Sequence, residues 1–155
     1  MPESDKHRDL YIASRDGDDT RVRELLEEGV DPDEYKDEYG YTALQRAAER
    51  GIHEVVSRLI KASADLNIQS NFGNTALHWA AFEGHNNVTS TLMKAGADFN
   101  IQNNDGKTVL HWAAERGNQE FVSELLEAGA DPYLQDMEGK TPLDVAKNEE
   151  IARFE

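Results

Sequence analysis

An all-α-dominated solenoid of short helix pairs is the fold class that the sequence predicts, on three observations. Gly40, Gly73, Gly106 and Gly139 recur every 33 residues, which is a repeat period rather than a chance spacing. Each glycine is followed two residues later by Thr42, Thr75, Thr108 or Thr141, and in the same register come Leu44, Leu77, Leu110 and Leu143, then Ala47, Ala80, Ala113 and Ala146. Later in each unit stand Leu59, Leu92 and Leu125, then Asp65, Asp98 and Asp131. Between these markers the apolar residues fall at helical spacing.

The first unit, residues 1–39, fits the skeleton once one extra residue is allowed before Gly40: Ala13, Gly17, Leu25, Leu26, Gly29 and Asp31 align with Ala47, Gly51, Leu59, Ile60, Ser63 and Asp65. It lacks the threonine opening, as an end-capping unit does. Asp16-Gly17-Asp18-Asp19 reads as a turn and N-cap opening a helix with Val22, Leu25 and Leu26 inward, its carboxylates favoured by the helix dipole. Three full units follow at 40–72, 73–105 and 106–138, and a half-unit at 139–155 closes the chain.

Residues 73–105 show the physics of one unit. Thr75 is a good N-cap for a helix with Leu77, Ala80 and Ala81 on its apolar face, ended by Gly84. A second helix puts Val88, Leu92 and Met93 inward and Ser90 and Lys94 outward, with Gly96 in the left-handed conformation that stops it. A polar turn runs from Asp98 to Gly106. Helices of about nine residues are marginal alone in water, so the units must stack to bury one another's Leu and Ala faces. Two departures mark weak points. Ser63 replaces the helix-ending glycine of its unit, and only Pro142 supplies the preset backbone angle at a first helical turn. From Thr141 onward the half-unit reads as one full helix and a short second one ending Ile151-Ala152-Arg153-Phe154-Glu155.

The chain has 155 residues, one domain's worth, with 16 Lys plus Arg against 31 Asp plus Glu for a formal net charge of −15. Such an excess of negative charge argues against nucleic-acid and anionic-membrane binding as main roles. Zero cysteines exclude disulfides, thiolate zinc sites and thiol catalysis. The charged start, Met-Pro-Glu-Ser-Asp-Lys-His-Arg-Asp, lacks the apolar stretch of a signal peptide. A soluble, cytoplasmic monomer with access to the nucleus is the expectation.

Asn74-Thr75-Ala76-Leu77-His78-Trp79-Ala80-Ala81 and Lys107-Thr108-Val109-Leu110-His111-Trp112-Ala113-Ala114 match the Thr-Pro-Leu-His-x-Ala signature of the ankyrin repeat. The sequence therefore resembles ankyrin-repeat proteins over nearly its whole length. That resemblance implies helix-turn-helix units joined by β-hairpin loops, about four full repeats with a C-terminal half-repeat cap. It also implies a concave face of first helices and hairpin tips, and a protein-binding role without catalysis.

Several motifs have plainer readings. Gly106-Lys107-Thr108 and Gly139-Lys140-Thr141 resemble the end of a phosphate loop, but Ile101 and Leu134 stand where the earlier glycine belongs. His78 and His111 recur at a scaffold position that, by the resemblance, bonds backbone and threonine groups between repeats; Gln45 and Asp144 replace them in the flanking units. No nucleophile or carboxylate pair is spaced to make them catalytic. Asp31 to Glu38 reads as a solvated acidic hairpin, because Lys36 and Thr42 occupy the glycine and glutamate positions of a calcium loop. Asn87-Val88-Thr89 is a glycosylation sequon in spelling only, Val88 reading as buried. Asn67 and Asn100 hold the hairpin position at which some animal ankyrin proteins resemble substrates of an asparaginyl hydroxylase.

By the same resemblance, the groove-facing positions carry Tyr39 and Tyr41; Arg46, Glu49 and Arg50; Phe72 and Asn74; Trp79, Phe82 and Glu83; Asn104, Asp105 and Lys107; Trp112, Glu115 and Arg116; and Met137, Glu138 and Lys140. Trp, Tyr and Arg dominate interface energies, typically at about 2 kcal/mol or more each on truncation. Trp79 and Trp112 also suit a semi-buried packing role, whereas Tyr41, Phe72 and Phe82 have no evident packing need and read as anchors. The interspersed carboxylates favour a protein or peptide partner with Lys or Arg beside an apolar element. An adaptor or scaffold role is expected; the alternative is a stand-alone inhibitor that occludes an enzyme or cytoskeletal protein, as in small ankyrin proteins such as the cyclin-dependent-kinase inhibitors and myotrophin. No cofactor or metal is expected.

Overall fold

The computed structural model describes residues 3–146. Helices α1 (Glu3–Asp16) and α2 (Asp19–Glu27) form the first pair, followed by α3 (Ala43–Arg50) with α4 (His53–Lys61), and α5 (Ala76–Glu83) with α6 (Asn86–Lys94). Then come α7 (Val109–Arg116) with α8 (Gln119–Glu127) and a single turn, α9 (Pro142–Val145). Among the described residues the regular structure is entirely helical.

The odd-numbered helices begin and end as their sequences dictate. Thr42, Thr75, Thr108 and Thr141 hold extended backbone angles, and each side-chain oxygen accepts the amide three residues on. At their ends Gly51, Gly84 and Gly117 adopt φ of 72°, 77° and 68°, where a side chain would strain the backbone. Ser63 ends α4 at φ 65°, the one non-glycine with positive φ among the described residues.

Packing follows side-chain size. The alanine pairs Ala47/Ala48, Ala80/Ala81 and Ala113/Ala114 are buried, and their small volume lets α1, α3, α5, α7 and α9 pack as one close row. The outer row carries larger buried residues, Val55, Val56 and Leu59, then Val88 and Leu92, then Phe121, Val122 and Leu125, and is packed less closely. The stack therefore curves toward the odd-numbered helices. All these residues belong to one continuous core, which stabilises helices too short to persist alone.

The loops between pairs project as fingers. Each closes on itself through two backbone bonds, as in Ser70 N–H to Asn74 O at 2.9 Å and Gly73 N–H to Ser70 O at 2.8 Å. The expected β-hairpins are thus tight turns whose arms are too short to make strands. Consecutive fingers are joined by one backbone amide each: Asn71 to Tyr39 O at 2.9 Å, Asn104 to Phe72 O at 3.0 Å, and Met137 to Asp105 O at 2.8 Å. A second ladder runs below, in which Asp33, Asn67 and Asn100 side chains accept the amides of Asp65, Asp98 and Asp131.

Three features depart from expectation. At 14 residues α1 is longer than the 8-residue inner helices after it, by about 9 Å of helix. Ser90 is half-buried rather than outward, its hydroxyl donating to Glu124 of the next pair at 3.0 Å. The expected full helix from Thr141 is the four-residue α9, because Ala146 is extended, at φ −62° and ψ 135°. The second helix expected up to Glu155 lies outside the described residues.

Candidate functional site

The concave row gathers the aromatic side chains of four consecutive units. From the N-terminal side the rings run Tyr39 to Tyr41 with centroids 6.3 Å apart, Tyr41 to Trp79 edge-on at 5.3 Å, and Trp79 to Trp112 at 6.2 Å. Phe82, one turn beyond Trp79, lies 6.3 Å from it and 5.1 Å from Trp112. Trp79 and Trp112 recur 33 residues apart at one helical position, so the stack superposes them. Edge-on and offset contacts of this kind rigidify a surface while leaving ring faces open.

Exposure divides the residues. Phe72 at a finger tip is 60 % exposed, Tyr39 49 % and Phe82 42 %, unusual for large apolar groups. Trp79 and Trp112 are half-buried, between core and surface. Tyr41 is buried, contrary to its reading as an anchor without a packing role, because it fills the gap between Arg46 and Trp79. Asn74 is also buried and belongs to the scaffold: its side-chain oxygen accepts from Asn103 at 2.9 Å, bridging consecutive fingers. The Trp79 indole N–H is buried without an acceptor.

Charges interleave with the rings. Arg46 ion-pairs with Asp37 at 2.8 Å and Glu49 at 3.1 Å, and its Nε donates to Tyr11 Oη at 2.9 Å. Burial alone would lower the pKa of Arg46, but the bonds to Asp37 and Tyr11 raise it above the ordinary guanidinium value. Burial likewise works against the charge of Asp37, yet hydrogen bonds from Tyr11, the Tyr41 amide, Arg46 and the Tyr39 amide hold its carboxyl below the usual carboxylate range. The segment read as a solvated acidic hairpin is therefore anchored at Asp37. Lys107 pairs with Glu115 at 3.0 Å, whereas Arg50 and Arg116 are exposed, the latter 5.7 Å from the Phe82 centroid. Met137 stands 78 % exposed on the last finger, where Glu138 and Lys140 pair at 3.6 Å.

The histidines are mortar. His78 Nε2 donates to Lys107 O at 3.0 Å and its Nδ1 accepts the Thr75 amide at 3.2 Å; His111 repeats this with Lys140 O at 2.9 Å and the Thr108 amide at 3.0 Å. A carbonyl only accepts and an amide only donates, which assigns the Nε2–H tautomer. Burial pushes the His78 pKa down to about 4, so the neutral form is kept. Gln45 substitutes by donating to Ile68 O at 2.7 Å, and Asp144 by accepting the Thr141 amide at 2.9 Å.

Sequence reading missed Tyr11 and Asp37. Their separation of 26 residues, with Tyr11 in α1 and Asp37 in the first finger, left no local signal to single them out. Tyr133, 59 % exposed, was also not singled out. Among the described residues no helix is long and apolar enough to cross a membrane.

A search of curated proteins finds no match. The family model for ankyrin repeats (3 copies) matches residues 10–103 and 88–154. That match, the Thr-capped inner helices and the stacked fingers lead to one conclusion: the chain belongs to the ankyrin-repeat family, whose members are protein-binding modules.

Proposed function

We propose that the protein is a non-catalytic adaptor that binds a partner protein or peptide on its concave face and finger tips. The observation that carries this reading is the exposure of Phe72, Phe82 and Tyr39 beside the half-buried Trp79 and Trp112. Exposed aromatics on a rigid scaffold lose little freedom on binding and make good anchors. Among these rings Glu83 is an exposed carboxylate with no ion pair among the described residues, whereas Glu115 is held by Lys107, so a segment that sets a Lys or Arg against Glu83 and an apolar residue against the rings is the partner this reading favours. A groove of this length supplies roughly 800 Å² on its side, the size of a standard specific interface. A cytoplasmic or nuclear setting suits this role.

The test is affinity capture from a eukaryotic lysate at physiological salt, comparing the wild type with a Phe72→Ala, Phe82→Ala double variant whose folding is verified by circular dichroism. A protein retained by the wild type and lost from the variant, then shown to bind directly when purified, supports the reading. Identical capture by both proteins, or capture by neither, removes it. Loss of the captured protein's own activity in the complex would make the chain an occluding inhibitor rather than an adaptor.

A further inference from the structure

Every finger after the first donates one tip amide to the carbonyl of the finger before it, through Asn71, Asn104 and Met137. The equivalent amide of the first finger, Glu38, meets no finger carbonyl and makes no hydrogen bond among the described residues. Beside it lies a cleft of about 350 Å³ between α1 and the first finger. The α1 residues Arg8, Tyr11, Ile12 and Arg15 form its far wall, with Arg8 exposed.

This cleft is rich in unused donors. Arg8 has no ion-pair partner, and the Tyr35 and Tyr39 hydroxyls have no hydrogen bond, among the described residues. Tyr35 is held against Tyr11 at 5.1 Å, and Tyr11 is fixed in turn by Asp37 and Arg46. The lining contains three guanidinium groups against two carboxylates, Asp37 and Glu38, in a molecule of net charge −15. Arg15 is engaged with Asp16, and Arg46 with both Asp37 and Glu49, which leaves Arg8 as the cation of the lining without an ion pair among the described residues. Free donors, one unengaged guanidinium and an open ladder rung call for a ligand with a backbone carbonyl and an anionic group.

We propose that this cleft binds an extended segment of a partner protein carrying an aspartate or glutamate. The segment's carbonyl accepts the Glu38 amide, adding a rung to the finger ladder. Its side-chain carboxylate is held by Arg8 with help from the tyrosine hydroxyls. The site adjoins the N-terminal end of the aromatic groove, sharing Tyr39 with it, and is opposite in preference, taking an acid where the groove takes a base.

The experiment is an amide-resolved NMR titration of the full chain with an acetylated, C-terminally amidated hexapeptide of Ala and Ser bearing one central Glu, against its Gln counterpart. The Glu peptide is expected to move the Glu38 amide resonance downfield in a saturable way, with the Gln peptide about tenfold weaker. Arg8→Ala should bring the Glu peptide to the Gln level, while Lys94→Ala, which removes an exposed cation on α6, should change nothing. Tyr39→Phe should weaken binding without altering the fold. Equal binding of the two peptides, no saturable shift up to about 10 mM, or an unaffected Arg8→Ala variant would each overturn the proposal. So would a Gln peptide with a free C-terminus binding as well as the Glu peptide, since the cleft would then read chain ends. The Phe72→Ala, Phe82→Ala protein should titrate like the wild type, which separates failure of the cleft from failure of the groove.

Discussion

The guanidinium carbon of Arg46 sits 3.9 Å from the centre of the Tyr41 ring while the same group ion-pairs with Asp37 at 2.8 Å. One cation thus joins α1, through Tyr11, to the first finger, through Asp37, and to the Tyr41 ring of the groove. The N-terminal wall of the groove is set by this contact.

Replacing Asp37 should be costly. Asp37→Ala removes the acceptor of the Tyr11 hydroxyl and of the Tyr39 and Tyr41 amides, and leaves Glu49 as the remaining ion-pair partner of Arg46. A loss of about 2–4 kcal/mol is expected in urea unfolding, as for a partly buried charge pair broken on one side. Asp37→Asn, which keeps an amide acceptor, should cost less, and equal losses would show that the finger amides do not depend on this side chain.

Stability should fall in mild acid because of His78. Its folded pKa of about 4 lies below the ordinary 6.5, so the unfolded chain binds more protons between these values. The stabilisation is complete above about pH 6.5, declines as pH falls, and levels off near pH 4, for a total of about 3 kcal/mol. Asp37 and Asp136, whose pKa values are lowered from 3.8, act below that window. His78→Gln, which copies Gln45 in the preceding unit, should flatten the decline; unfolding curves at pH 7 and pH 4.5 read the difference.

Ser63→Gly should stabilise the protein. A serine at φ 65° carries a left-handed penalty of about 1–2 kcal/mol, part of which glycine returns as unfolded-state entropy. The expected gain is about 0.5–1 kcal/mol, seen as a higher urea midpoint with an unchanged slope.

Phe82→Ala should separate binding from folding. Its ring is 42 % exposed and packs beside Trp79, Trp112 and Arg116, so about 1 kcal/mol of stability is at stake. Against the captured partner, titration calorimetry should show an affinity loss of about 2 kcal/mol. A stability loss larger than the affinity loss would make Phe82 a packing residue.

Much of the fold is legible because it is periodic. Thr75, His78, Ala80 and Gly84 answer to local rules, capping, tautomer-specific bonding, close packing and positive φ, and their counterparts at 33-residue intervals answer to the same ones. What escapes is whatever the repeat does not repeat. Tyr11 and Asp37 lie 26 residues apart on different elements, and nothing in their local sequence couples them. Tyr41 sits one residue before a capping threonine, a position that is solvent-facing or buried according to the neighbour, and here the neighbours are Arg46 and Trp79. The short α9 is a third case, since Leu143 and Val145 continue the helical pattern on paper while Ala146 leaves it.

The bonds that cement the stack share a short reach along the chain: His78 to Lys107 and His111 to Lys140 each span 29 residues, and Gln69 to Gln102 and Gln102 to Gln135 each span 33. No large loop has to close before such contacts form, so chain assembly proceeds as a zipper from whichever unit nucleates first. Under tension applied at the chain ends the same arithmetic runs backwards, and the molecule yields in steps of one unit's contour length rather than in a single rupture.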